Sequence, residues 1–161
     1  MSEVVKLDKT DRRILRELQR NGRISNQELA EHTNLSTAPC WRRLKKLEES
    51  GVIDRYVALL NTQKLGMQTM AFIHLSLLDH SDANIAAIDD FVEQSPEVLE
   101  CYAITGAEDF LLRVVVEDVE ALERFMMHKL LKLKGVKSTN SSLVLRQKKY
   151  TTELPIPGDD R

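Results

Sequence analysis

Between Ser36 and Ile53 the chain reads STAPCWRRLKKLEESGVI, placing four cations, Arg42, Arg43, Lys45 and Lys46, within one helical turn and a half. Guanidinium groups pair bidentately with guanine edges, and ammonium groups meet phosphates as point charges, so the chemistry this cluster could serve is polyanion binding. If Cys40, Leu44 and Leu47 form the inward face of a helix, then Thr37, Trp41, Arg42 and Lys45 emerge on other sides. The N-terminal turn, entered through the small polar residues Ser36 and Thr37, is slim enough for a major groove about 12 Å wide. Arg42 is then the candidate base reader, while Arg43, Lys45 and Lys46 neutralise phosphates. Trp41 either packs on the sugar-phosphate surface or completes a small helical core. Taken alone, the same residues read equally well as a solvated basic helix face.

Such a cluster needs a scaffold, and the flanking sequence supplies one. Asp8 with Asp11 predicts the start of a first helix over Lys9–Arg20, with Ile14, Leu15 and Leu18 on one face and Asn21-Gly22 as its αL-tolerant stop. Ser25 and Glu28 form an S-x-x-E capping box for a short second helix ending near Thr33-Asn34. Ser36 caps the third, Pro39 sits harmlessly in its first turn, and Gly51 ends it. Two short helices joined by a tight turn, the second basic, are the sequence form of a helix-turn-helix. Gly51-Val52-Ile53 with the run 56–60 reads as a wing or connecting strand, and 61–66 as a loop.

Charge supports a division at this point. Through Arg55 there are twelve Lys/Arg against nine acids, net +3, and the remaining residues carry eleven against sixteen, net −5. A polyanion-binding front end joined to a body with another task accounts for that asymmetry. In the body, 70–78 reads as a strand and 81–94 as a helix with Ile85, Ile88, Phe91 and Val92 inward. Val98–Thr105 and Phe110–Val116 read as strands, Glu120–Lys134 as a second helix, and Ser138–Gln147 as a last strand. The order βαββαβ predicts an antiparallel sheet with two helices on one face and an open apolar face, carrying Phe72 or its neighbours, that a second copy would cover.

Several function classes find no support. The chain has no phosphate loop, no H-E-x-x-H and no serine elbow, so an amino-acid enzyme is a distant reading. Cys40 and Cys101 lack a C-x-x-C partner, and His32, His74, His80 and His128 do not fall at ligand spacing, so no metal and no cofactor are expected. The N-terminal MSEVVKLDKTD is no signal peptide, and no apolar run reaches the roughly 20 residues of a membrane span. A cytoplasmic protein without membrane contact is expected.

LDKTDRRILRELQRNGRISNQELAEHTNLSTAPCWRRLKKLEESGVI resembles the DNA-binding half of the Lrp/AsnC family, the leucine- and asparagine-responsive transcription regulators of prokaryotes. CYAITGAEDFLLRVVVED is similar to that family's effector segment, and LLKLKGVKSTNSSLVL to the helix-to-strand passage after it. The resemblance runs from about Leu7 to Leu154. It implies an α+β chain: a winged helix-turn-helix domain (1–55), a connecting strand and linker (56–67), a ferredoxin-like βαββαβ domain for amino-acid sensing and oligomerisation (68–150), and a C-terminal tail (151–161). It also implies double-stranded DNA as partner, a homodimer assembling to a homo-octamer, and a free amino acid bound between dimers. Trp41 is bulkier than the family's usual aliphatic residue, and Ala107-Glu108 is an unusual filling of the effector loop.

An amino-acid receptor needs backbone N–H groups for a carboxylate and a carboxylate for an ammonium. The resemblance assigns this to Thr105, Gly106, Ala107, Glu108 and Asp109, with Gly106 allowing close approach and Asp109 meeting the ammonium, Glu108 being its rival. Composition alone would make the same residues an ordinary hairpin turn. Ser141 and Ser142 align with family positions that line the pocket. An apolar effector, leucine or methionine, is favoured, because the loop offers a charged side chain no partner beyond Glu108; lysine or arginine is the reserve. A nucleoid-like architectural DNA binder without an effector is the alternative function.

Overall fold

Asp8 starts the first element. In the computed structural model, which describes residues 4–158, its side chain accepts from the Thr10 and Asp11 N–H groups at 2.8 Å each, and the Asp11 carboxylate returns to the Asp8 N–H at 3.1 Å. This capping box opens α1 (Lys9–Arg20). The Asp11 N–H, joined by the Arg43 guanidinium, holds the Asp8 carboxyl below its ordinary range. Ser25 and Glu28 form the expected second capping box before α2 (Asn26–Thr33), and α3 spans Thr37–Glu49.

The turn chemistry differs from expectation at one helix end. Asn21 is extended (φ −141°, ψ 90°) rather than left-handed, and Gly22 is not a positive-φ residue. The left-handed stop falls instead at Asn34 (φ 56°), between α2 and α3, where its N–H reaches the Ala30 and Glu31 carbonyls. Asn tolerates this region better than most residues do. That one residue sets the tight turn of the helix-turn-helix.

Residues up to Leu59 and those from Lys149 onward form one compact unit; Leu60–Lys148 form another. The first has Ile14, Leu15, Leu29, Ala30, Cys40 and Leu47 at its centre, with Leu44, Val52, Ile53 and Ile156 packed around them. Ile156 belongs to the C-terminal segment, which is strapped along α1. The Gln19 amide exchanges hydrogen bonds with the Leu154 backbone (2.6 and 3.3 Å), and Arg12 Nε donates to the Pro157 carbonyl at 3.0 Å. Arg20 pairs with Glu153 at 3.3 Å.

The run 56–60, expected as a wing or connecting strand, forms no strand among the described residues. Val57, Leu59 and Leu60 stand more than half exposed. A strand needs a partner edge for its N–H and C=O groups, and this chain offers none there. Tyr56 alone is tied down, its hydroxyl donating to Glu48 at 2.9 Å.

The second unit is ferredoxin-like. Strands β1 (Thr69–Leu77), β2 (Val98–Ala103), β3 (Phe110–Val116) and β4 (Val136–Leu143) form an antiparallel sheet of order β2-β3-β1-β4, with α4 (Asp82–Gln94) after β1 and α5 (Val119–His128) after β3. The second helix is shorter than its periodicity suggests. It breaks at Lys129 into a 3₁₀ turn, Leu130–Lys132, that keeps Leu130 fully buried, and Gly135 (φ 91°) then starts the last strand early. Strand β1 alternates strictly: Ala71, Ile73, Leu75 and Leu77 join Leu112, Val114, Ile88, Leu122 and Phe125 in the core. The opposite face is partly covered and mixed in character. Phe72 lies across from Arg113, and His74 across from Leu111. Arg113 pairs with Glu100 at 2.6 Å, and Tyr102 donates to the same carboxylate at 3.0 Å. Phe72 thus points outward as expected, beside an ion pair rather than on a purely apolar surface.

Candidate functional site

Helix α3 presents its cations in rows. Residues four apart share a helix face, so Thr37, Trp41 and Lys45 form one row and Ala38, Arg42 and Lys46 the next. All six are exposed, whereas Cys40 and Leu47 lie in the core and Leu44 packs against it. Ser36 occupies the N-cap position (φ −77°, ψ 156°) without a side-chain capping bond, which leaves its hydroxyl available at the helix tip. The helix N-terminus also carries partial positive charge, favouring an anion there. Asn26 of α2 holds the tip through a 3.4 Å bond to the Thr37 carbonyl. Trp41 is half exposed, with the Lys45 ammonium 5.3 Å from its ring centroid.

Arg43 is placed differently from its neighbours. Its guanidinium pairs with Asp8 at 2.6 Å and Asp11 at 2.8 Å, the two carboxylates of the α1 capping box. It therefore braces α3 against α1. Lys6, which the sequence pattern did not single out, shares a shallow depression with Arg42, Arg43 and Lys46.

The β2–β3 turn holds the second set of residues. Its ends are closed by Ile104 N–H to the Asp109 carbonyl and by Asp109 N–H to the Leu75 carbonyl, both at 2.9 Å. Asp109 Oδ2 accepts the Leu77 N–H at 2.8 Å, and Oδ1 lies 2.7 Å from His80 Nε2. The Leu77 N–H, then His80, with Lys137 nearby, hold this carboxyl below its ordinary range. Asp109 thus pins the turn to the end of β1. Gly106 adopts φ 128° with nothing within 4 Å of where a Cβ would stand. Among the described residues, the N–H groups of Thr105, Gly106, Ala107 and Glu108 donate to no protein acceptor. Four successive backbone donors of this turn are therefore left without a protein partner.

Ser141 and Ser142 are not brought to this turn. They lie opposite Ile73 and Phe72, on opposite faces of the sheet, about 13 and about 17 Å along the strand from Leu77 at 3.3 Å per residue. His80 is the residue that sequence reasoning missed. It stands 29 positions from Asp109, and nothing local marks the pair.

The two halves match two family models: winged helix-turn-helix DNA-binding over residues 7–54, and the Lrp/AsnC ligand binding domain over residues 70–154. The chain belongs to the Lrp/AsnC family. It is a DNA-binding transcription regulator with an amino-acid-binding domain, not an enzyme. A leucine-responsive regulatory protein of Rhizobium meliloti is 41% identical over 152 residues, covering 94% of this chain and 97% of the relative. The DNA-binding transcriptional activator DecR of Escherichia coli is 39% identical, covering 93% and 99%. Among solved structures, a transcriptional regulator of Neisseria meningitidis in complex with L-Met superposes with a TM-score of 0.90 at 42% identity, over 93% of this chain and 97% of that one. No described helix of this Lrp/AsnC regulator is long and apolar enough to cross a membrane.

Proposed function

We propose that the protein is a cytoplasmic regulator that reads duplex DNA through paired copies of α3 and senses a free apolar amino acid, methionine or leucine, at the 105–109 turn. Arg42 reads base edges; Lys45, Lys46 and the Ser36–Thr37 tip engage phosphates; Trp41 packs on the backbone of the DNA. Arg43 contributes by fixing the helix, since its charge is already met by Asp8 and Asp11. A symmetric dimer, formed over the open sheet face, sets two recognition helices on half-sites about one turn, roughly 34 Å, apart. Dimers assemble further, toward an octamer, with the effector between them.

The observation that carries the sensing half is the anchored turn with four free N–H groups. They suit a carboxylate, and a carboxyl group, on Asp109 or Glu108, suits the ammonium. Asp109 has used two acceptor positions internally, yet an ionised carboxylate offers about four. Ser141 and Ser142, remote from the turn of their own chain, would complete the pocket from another copy. Support for the effector class comes from the L-Met complex of the Neisseria regulator and the leucine-responsive name of the Rhizobium relative. Lysine or arginine would replace the apolar ligand if Glu108 turns inward.

Calorimetry with methionine, leucine and lysine on wild type, Asp109→Asn and Glu108→Gln tests the reading. Asn keeps an acceptor for the Leu77 N–H while losing the charge. Weakened methionine or leucine binding in Asp109→Asn is expected. Unchanged affinity there, with loss in Glu108→Gln, transfers the ammonium to Glu108; no binding by wild type removes the effector altogether.

A further inference from the structure

Of the groups that meet Asp109, His80 is the one whose side-chain type changes charge between about pH 5 and 8. Its Nε2 lies 2.7 Å from Asp109 Oδ1, while Oδ2 is committed to the Leu77 N–H at 2.8 Å. The histidine side chain is 69% exposed and the aspartate 26%, so the contact opens to solvent and its imidazole half is the more accessible. The loop beneath the ring is fixed independently of it. The Asp79 carboxylate accepts the Ser81 N–H and the Asn84 amide, both at 2.9 Å, which ties residues 79–81 to the start of α4.

The charges around the pair come from its own loop, from α4, from β4 and from the turn. Asp79 acts on His80 from the same loop, Asp82 follows in the first turn of α4, Lys137 on β4 acts on Asp109, and Glu108 adjoins Asp109 in the turn. Carboxylates and lysines titrate outside the histidine window. Asp109 in particular, held below the ordinary carboxyl range by the Leu77 N–H and then by His80, stays ionised throughout it.

We infer that His80 is a pH-dependent gate on amino-acid sensing: as a neutral ring it shares Asp109 with the ligand's ammonium, and as an imidazolium it opposes that ammonium. This rests on the assignment of the ammonium to Asp109 above. An ionised carboxylate offers about four acceptor positions, and two are in use, so ring and ammonium meet on one group roughly 5 Å apart. Two cations at that distance in a water-like medium repel enough to change affinity about fourfold. Because the bound ammonium disfavours the imidazolium, His80 holds its proton less firmly in the complex than in the free protein. Affinity for methionine therefore rises with pH across the histidine window and falls on acidification, and binding within the window releases a fraction of a proton to the buffer.

Calorimetry with methionine at about pH 5.5 and 7.5, the two sides of that window, tests the gate on full-length wild type, His80→Gln and His80→Lys. Gln keeps a neutral donor near the Nε2 position, and Lys carries a permanent charge. Wild type should bind methionine at least about threefold more weakly at the lower pH. His80→Gln should bind equally at both, near the wild-type affinity of the higher pH, and His80→Lys weakly at both. His32, His74 and His128 are present in all three proteins, so a pH response arising from them persists in His80→Gln. At intermediate pH the wild-type heat should differ between phosphate and Tris buffers, and the His80→Gln heat should not. Wild-type affinity that is the same at both pH values, a pH response retained by His80→Gln, or methionine binding lost by His80→Gln at both would overturn the gate while leaving the effector assignment standing. No methionine binding by wild type at either pH would remove the effector assignment and the gate with it.

Discussion

The recognition helix and the effector turn solve the same problem, holding charged groups ready for a ligand, by opposite means. In α3 the candidate contact residues follow one another along ten or so positions, and the helix itself spaces them; the two capping boxes and the left-handed Asn34 are equally local. At the turn, Asp109 is held by Leu77 and His80, about thirty residues upstream on another element. A helix carries its own geometry, whereas a turn borrows geometry from whatever it is tied to. The reader should therefore tolerate changes elsewhere in the chain, and the sensor should not.

The largest expected effect tests that asymmetry. Leu112→Ala removes a side chain buried at the centre of the sheet and should cost about 2–5 kcal/mol. The damage should stay in the ferredoxin-like unit, with amino-acid binding lost and the helical unit still folded. Two-domain thermal unfolding followed by Trp41 fluorescence and by sheet circular dichroism would show two transitions, one displaced. A single transition displaced as a whole would mean that the units do not fold separately.

Next in size, Arg42→Ala should weaken the specific site by roughly 1–3 kcal/mol and relax base preference, while Lys46→Ala should weaken all sequences alike and lower the salt slope by about one. Quantitative footprinting at several salt concentrations separates the two outcomes. Equal loss on all sequences in Arg42→Ala would make it a phosphate contact.

A smaller effect is expected from ending the chain after Thr151. This removes the half-buried Ile156 and the bonds to Gln19 and Arg12. Partial loss of one aliphatic side chain suggests ~1–2 kcal/mol from the helical unit. A chemical denaturation midpoint unchanged on truncation would show the strap to be ornamental.

These contrasts also explain what could be read from sequence. The three helices, the Ser25–Glu28 box and the βαββαβ order were legible because each rests on spacing within a few residues. The Asn21-Gly22 stop fell where expected but without a left-handed residue, because Gly and Asn permit that conformation without requiring it. The strand expected at 56–60 did not form, since pairing needs an edge that lies elsewhere. Arg43 was grouped with the phosphate contacts by its neighbours, although Asp8 and Asp11, more than thirty positions away, hold its charge. The docking of Ile156 and the His80–Asp109 contact are likewise invisible to any local pattern.

The central claim is that reading and sensing occupy separate parts of the chain and communicate only through the ligand's preference among assemblies. Gel-shift titration of wild type and Asp109→Asn on one operator, with and without methionine, tests it most directly. The two proteins should bind bare DNA with the same affinity, and methionine should shift the wild-type complex alone. Equal methionine responses in both, or impaired bare-DNA binding by Asp109→Asn, would contradict the account.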